Sequence, residues 1–196
     1  MEQIPQELLD WAAAIHDYQP AEWDRLPELD LYMDQVITLM DKQLAPFSGD
    51  GERLLTSSMI NNYVKDGVLP RPEPKKYSRN HLAMLLMICM LKSVLSLPEI
   101  HNILEGMTAG KGVEDLYPAF TTIHRQAMQE AASRIDAARE QDTAALYQLA
   151  MTMALEANAR RIAAARILDS LKPSEDKELE KEKKEEKKAK KERPAE

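Results

Sequence analysis

From Ala119 to Lys172 the chain runs without a single glycine or proline. Those are the two residues that most often end a helix, and alanine, the best helix former, is abundant in the run, so the segment is expected to be helical throughout. Its apolar residues define a face. His124, Met128, Ala131, Ile135 and Ala138 follow alternating steps of four and three, and the alternation resumes as Leu146, Ala150, Met153, Ala157, Arg160, Ala164, Ile167 and Leu171, with only Arg160 breaking the seam. The step from Ala138 to Leu146 is one residue longer than a heptad. Either residues 141–143 separate two helices with Asp142 as cap, or one long helix absorbs the extra residue as a stutter; the break is preferred.

A chain of 196 residues with 44% hydrophobic side chains can bury one ordinary core. With 5% aromatic residues, eleven methionines and many alanines, that core suits packed helices better than a sandwich of sheets. The expected fold class is therefore all-α. The single Cys89 allows no intramolecular disulfide, no signal-peptide pattern is visible, and the apolar run Leu82 to Leu91 is about half a membrane-spanning length. These features lead to the expectation of a cytoplasmic protein with no membrane partner.

The net charge of -7 argues at first against a nucleic-acid partner, but its distribution is uneven. Residues 1–52 carry two basic and twelve acidic side chains, whereas residues 53–92 carry seven basic and two acidic ones, net +5. That block contains TSSMINNYVKDGVL, residues 56–69, followed by PRPEPKKY. Met59, Ile60, Tyr63 and Val64 make an apolar stripe, and Tyr63 is read as core. Ser57, Ser58, Asn61, Asn62 and Lys65 are left on the other face, short donors and acceptors of the kind that meet bases and phosphates in a groove. Gly67 supplies the left-handed stop. Pro70, Pro72 and Pro74 then stiffen an exposed segment bearing Arg71, Lys75 and Lys76, with Tyr77 and Arg79 just beyond.

Around this block, Leu8, Trp11, Ala12 and Ile15 form the face of a small docking helix, and Trp23 and Leu26 are packing anchors in the linker that follows. Met33, Val36, Ile37, Met40 and Leu44 mark a helix capped by Asp30 and closed by Pro46. Ser78 caps a helix that is apolar nearly all round to Leu91, and Ser96 to Glu99 is a capping box ahead of Ile100, Ile103 and Leu104. Gly106, Gly110 and Gly112 open a connector that runs to Phe120. The organisation is thus an acidic helix and linker (1–29), a central domain (30–105), a connector (106–120), a C-terminal helical region (121–171) and a charged tail (172–196). The tail holds ten basic and nine acidic side chains and is read as disordered or as a frayed helix.

Residues 59–104, MINNYVKDGVLPRPEPKKYSRNHLAMLLMICMLKSVLSLPEIHNIL, resemble the winged helix-turn-helix DNA-binding domain of MerR-type transcriptional regulators. They are similar, more closely, to an uncharacterised bacterial family described as a domain of unknown function with MerR-like features. Tyr63, Lys65-Asp66, Gly67, Val68-Leu69 and Pro70 match the end of a recognition helix, and Lys75-Lys76-Tyr77 match a wing's basic pair before tyrosine. Leu82 to Leu91 and Ser96 to Ile100 match the helices that follow. Asn61 and Lys75 stand where arginine is usual. The resemblance implies a short-winged core with little or no sheet, a recognition helix in the major groove, wing cations on phosphates, and a homodimer through the C-terminal helices. The DNA-binding set would be Ser57, Ser58, Asn61, Asn62, Lys65, Arg71, Lys75, Lys76, Tyr77 and Arg79.

Chemistry has little to start from. Cys89 sits on an apolar helix and is read as a buried inert thiol. His16, His81, His101 and His124 are scattered without zinc spacing, so neither metal nor cofactor is expected. No convergent catalytic set remains, and the chain is expected not to be an enzyme. The rival reading is a helical interaction or scaffold protein whose MerR-like core has lost DNA binding.

Overall fold

In a computed structural model of the chain, residues 4–48 and 53–171 are described. Among them are seven α-helices: α1 (Gln6–His16), α2 (Met33–Leu44), α3 (Ser57–Lys65), α4 (Arg79–Leu91), α5 (Leu97–Thr108), α6 (Val113–Ala137) and α7 (Thr143–Leu171). The described residues form no strand, only one antiparallel bridge between Leu31 and Tyr77. The all-helical class expected from the aliphatic composition is what the described residues adopt. The charged tail lies outside the described residues.

α4 is the centre. Leu82, Ala83, Leu85, Leu86, Met87, Ile88 and Cys89 are all buried, and each large side chain removed from water contributes about 1.5–3 kcal/mol. Around it pack Val36, Met40 and Leu44 of α2, Ile60 and Tyr63 of α3, Ile100 and Leu104 of α5, and Leu116 and Tyr117 of α6. α1 docks mainly against α6. Tyr18, just after α1, meets Phe47 edge-on at 4.8 Å, and Phe120 stacks on His124 of α6 at 6.2 Å.

Several local readings change. Trp11 is 46% exposed, so the inward face of the N-terminal helix is carried by Ala12 and Ile15 instead. Asp30 does not cap α2. The N-cap is Tyr32, whose backbone N–H donates to Gln35 Oε1 at 2.9 Å, because Leu31 is held extended by its bridge to Tyr77. The connector is also shorter than 106–120. α5 carries Gly106 inside it and ends at Thr108, and α6 begins at Val113 with Pro118 within the helix. Pro118 is the sixth residue of α6, past the first turn, so the helix lacks the N–H that would bond the Glu114 carbonyl, and the Pro118 carbonyl accepts from the Thr121 and Thr122 hydroxyls.

The C-terminal run is two helices, with the break where Asp142 stands; its carboxylate accepts from Ala145 N–H at 2.9 Å. Arg160, the one charge in the seam, reaches Glu130 of α6 at 3.9 Å, beside a two-pronged Arg134–Glu156 pair at 2.5 and 3.2 Å. Polar contacts thus join α6 to α7, and no residue of α7 is buried.

Candidate nucleic-acid interface

α3 begins at Thr56, whose Oγ1 accepts from Met59 N–H at 3.3 Å. It ends where Gly67 takes φ +73°, a left-handed turn that side chains disfavour. That turn sends the chain back, and Val68 and Leu69 both donate to the Tyr63 carbonyl, at 2.9 and 3.0 Å. Ile60 and Tyr63 are buried and Met59 and Val64 are half-buried. Burial pushes the Tyr63 phenol up to about 12. Ser57, Ser58, Asn61, Asn62 and Lys65 are all exposed on the opposite face.

The proline-rich segment then lies beside α3. It is held by the two hydrogen bonds between Leu31 and Tyr77, at 3.0 and 2.8 Å, and Lys75 enters with φ +71°. A concave surface of about 1300 Å³ separates segment and helix. Asn61 and Lys65 of α3 line one part of it, and Arg71 and Lys75 of the segment another. Glu73 also lines it, a negative charge that counts against an anionic partner. Ser57, Ser58 and Asn62 are exposed on α3 but are not part of this lining.

Of the remaining three candidates, Lys76 and Arg79 are engaged elsewhere, and Tyr77 borders the surface with a side chain that is almost wholly buried. Lys76 places its Nζ 5.2 Å from the centre of the Tyr32 ring. Tyr77 is only 3% exposed, and its ring packs edge-on to His81, so it serves the core and anchors the proline-rich segment. Arg79 is largely covered, 5.6 Å from the Trp23 ring and 3.3 Å from Glu28. Tyr32, Trp23 and Glu28 were not recoverable as partners from sequence, since they sit 44 to 56 residues upstream of the cations they meet.

Below the surface His81 closes the start of α4. The Ser78 backbone N–H donates to its Nδ1 at 3.1 Å, and burial holds the ring below its usual pKa. Cys89 is buried beneath, with its thiol pushed up to about 11 by burial. Among the described residues no group of three His, Cys, Asp or Glu side chains is placed to hold a metal ion. No described helix is long and apolar enough to cross a membrane.

A family model described as Domain of unknown function (DUF1836) matches residues 21–120, from the linker before α2 to the first turns of α6. No curated protein and no solved structure matches the chain.

Proposed function

The chain belongs to the family described as Domain of unknown function (DUF1836), and from that premise we propose that it is a non-catalytic, MerR-like regulator that binds duplex DNA in a sequence-specific manner. α3 would enter the major groove, with Asn61 reading a base edge and Ser57, Ser58, Asn62 and Lys65 contacting bases or phosphates. Arg71 and Lys75 would lie on the flanking backbone. The observation that carries this reading is the concave surface on which Asn61, Lys65, Arg71 and Lys75 converge from two separate segments. Homodimerisation would place two such surfaces on one pseudo-palindromic site. It is supported by a second apolar face on α7, where Met151, Leu155 and Ile162 are 54–63% exposed.

The test is the salt dependence of binding to a duplex selected from a random pool. Replacing Arg71 and Lys75 by glutamine should reduce the slope of log affinity against log salt by about two. An unchanged slope would show that these cations do not touch phosphate.

A second reading, a scaffold protein without DNA binding, is favoured by the engagement of Lys76 and Arg79 with Tyr32, Trp23 and Glu28. It expects no salt-sensitive retention of any duplex in a gel shift.

A further inference from the structure

Between the start of α1, the last turns of α6 and the first half of α7 lies a groove of about 710 Å³. Pro5 contributes from just before α1, Leu8 from α1, Ile135 from α6, and Leu146, Ala150 and Met153 from α7. None of the nine lining residues carries a charge. Its setting makes that notable: 30% of the chain is charged, yet residues 143–155, the part of α7 that runs along the groove, hold no charged side chain. α7 therefore presents to this groove a stretch that neither water nor a buried core accounts for.

We infer that the groove binds an uncharged, largely apolar small molecule carrying at most one hydroxyl or carbonyl end. Charge complementarity selects this class. A charged ligand would surrender its hydration without meeting a counter-charge, a loss of several kcal/mol that apolar walls do not offset. Size agrees, because ligand sites generally span about 300–1,000 Å³. The α7 wall from Thr143 to Met153 is about 15 Å long, which suits a medium-length chain or a pair of fused rings. Tyr147, which also lines the groove, brings the phenol that would meet the ligand's polar end. The charged tail is a poor occupant, since nineteen of its 25 side chains are charged. A second copy has a better seat on Met151, Leu155 and Ile162, roughly a third of a turn around α7 from the groove.

The inference uses none of the residues assigned to DNA and stands or falls apart from that reading. The full chain is titrated with the uncharged fluorophore N-phenyl-1-naphthylamine, then challenged with 1-decanol or with sodium decanoate at pH 8. Saturable one-to-one uptake is expected, displaced by decanol at a concentration about tenfold or more below that needed for decanoate. Ala150→Trp, which fills the groove, and Ala150→Glu, which charges it, should each weaken uptake by about tenfold or more, while Leu155→Ala on the other face leaves it unchanged. Ala150 is exposed on a helix, so circular dichroism should show both variants folded. Absence of saturable uptake, equal displacement by decanol and decanoate, or full uptake by both folded Ala150 variants would each overturn the assignment. So would dissociation of a dimer by the Ala150 variants, which would make the second copy the occupant.

Discussion

α4 and α7 are built from much the same residues, leucine, methionine, isoleucine and alanine, yet they hold opposite places in the molecule. α4 has 13 residues and buries seven of them, while α7 has 29 and buries none. Helix formation in α4 is driven by packing, because every face of it meets apolar side chains from other elements. In α7 the run of alanine and the absence of helix breakers carry the local preference, and packing on α5 together with ion pairs to α6 supplies the docking. The difference teaches that apolar content does not reveal burial in this chain; what surrounds a helix does.

The largest effect should come from cutting into α4. Leu85→Ala removes a fully buried side chain and should lower unfolding free energy by about 2–5 kcal/mol, as read by urea denaturation. Cys89 gives an independent check, because its buried thiol should react with a thiol reagent only when the core opens, and faster in this variant. A loss below about 1 kcal/mol would remove α4 from the centre of the core.

Gly67→Ala should cost about 1 kcal/mol. Nothing lies within 4 Å of the added methyl, so the left-handed φ alone is responsible. A stabilised variant would mean that α3 does not end in this turn.

Acid should separate the two helices further. His81 on α4 and His124 on α6 are both held below the ordinary 6.5 by burial, so the unfolded chain binds protons more readily than the folded one. Their contribution is fully present above pH 6.5 and is lost as pH falls through the lower folded values. α7 has no histidine. Denaturation midpoints between pH 7.5 and 5 should therefore fall, and His81→Gln with His124→Gln should flatten the profile.

The smallest effect belongs to Met151→Ala, at 59% exposed, which should change stability by less than about 0.5 kcal/mol in dilute solution. A larger loss that grows with protein concentration would sharpen the comparison, by showing that α7 gains its burial from a second copy.

What the sequence made legible was whatever depends on neighbours along one helix. The stripe of Met59, Ile60, Tyr63 and Val64, the stop at Gly67, the capping box at Ser96 and Glu99, and the break before Thr143 all follow from periodicity and caps within a few residues. Long-range effects were not legible. Asp30 reads as a cap until Leu31 is pulled into a bridge with Tyr77, 46 residues on, which moves the helix start to Tyr32 and Met33. Pro118 reads as a boundary, yet the buried Leu116 and Tyr117 hold α6 continuous on both sides of it. The candidate site divides in the same way. Residue type and exposure mark Asn61, Lys65, Arg71 and Lys75, but no local pattern reports that Lys76 rests on Tyr32 or that Arg79 turns toward Trp23 and Glu28.

The Tyr117 hydroxyl donates to the Ala21 carbonyl at 2.9 Å across 96 residues, and it does so from the helix against which α1 packs. A chain made from its N-terminus therefore exposes α1 and its linker well before α6 exists. At about 5–20 residues per second, that interval lasts several seconds or more, during which α1 lacks the α6 surface that takes most of its packing. Proteolysis of the nascent chain within residues 4–26 should therefore fall once α6 has formed and packed on α1.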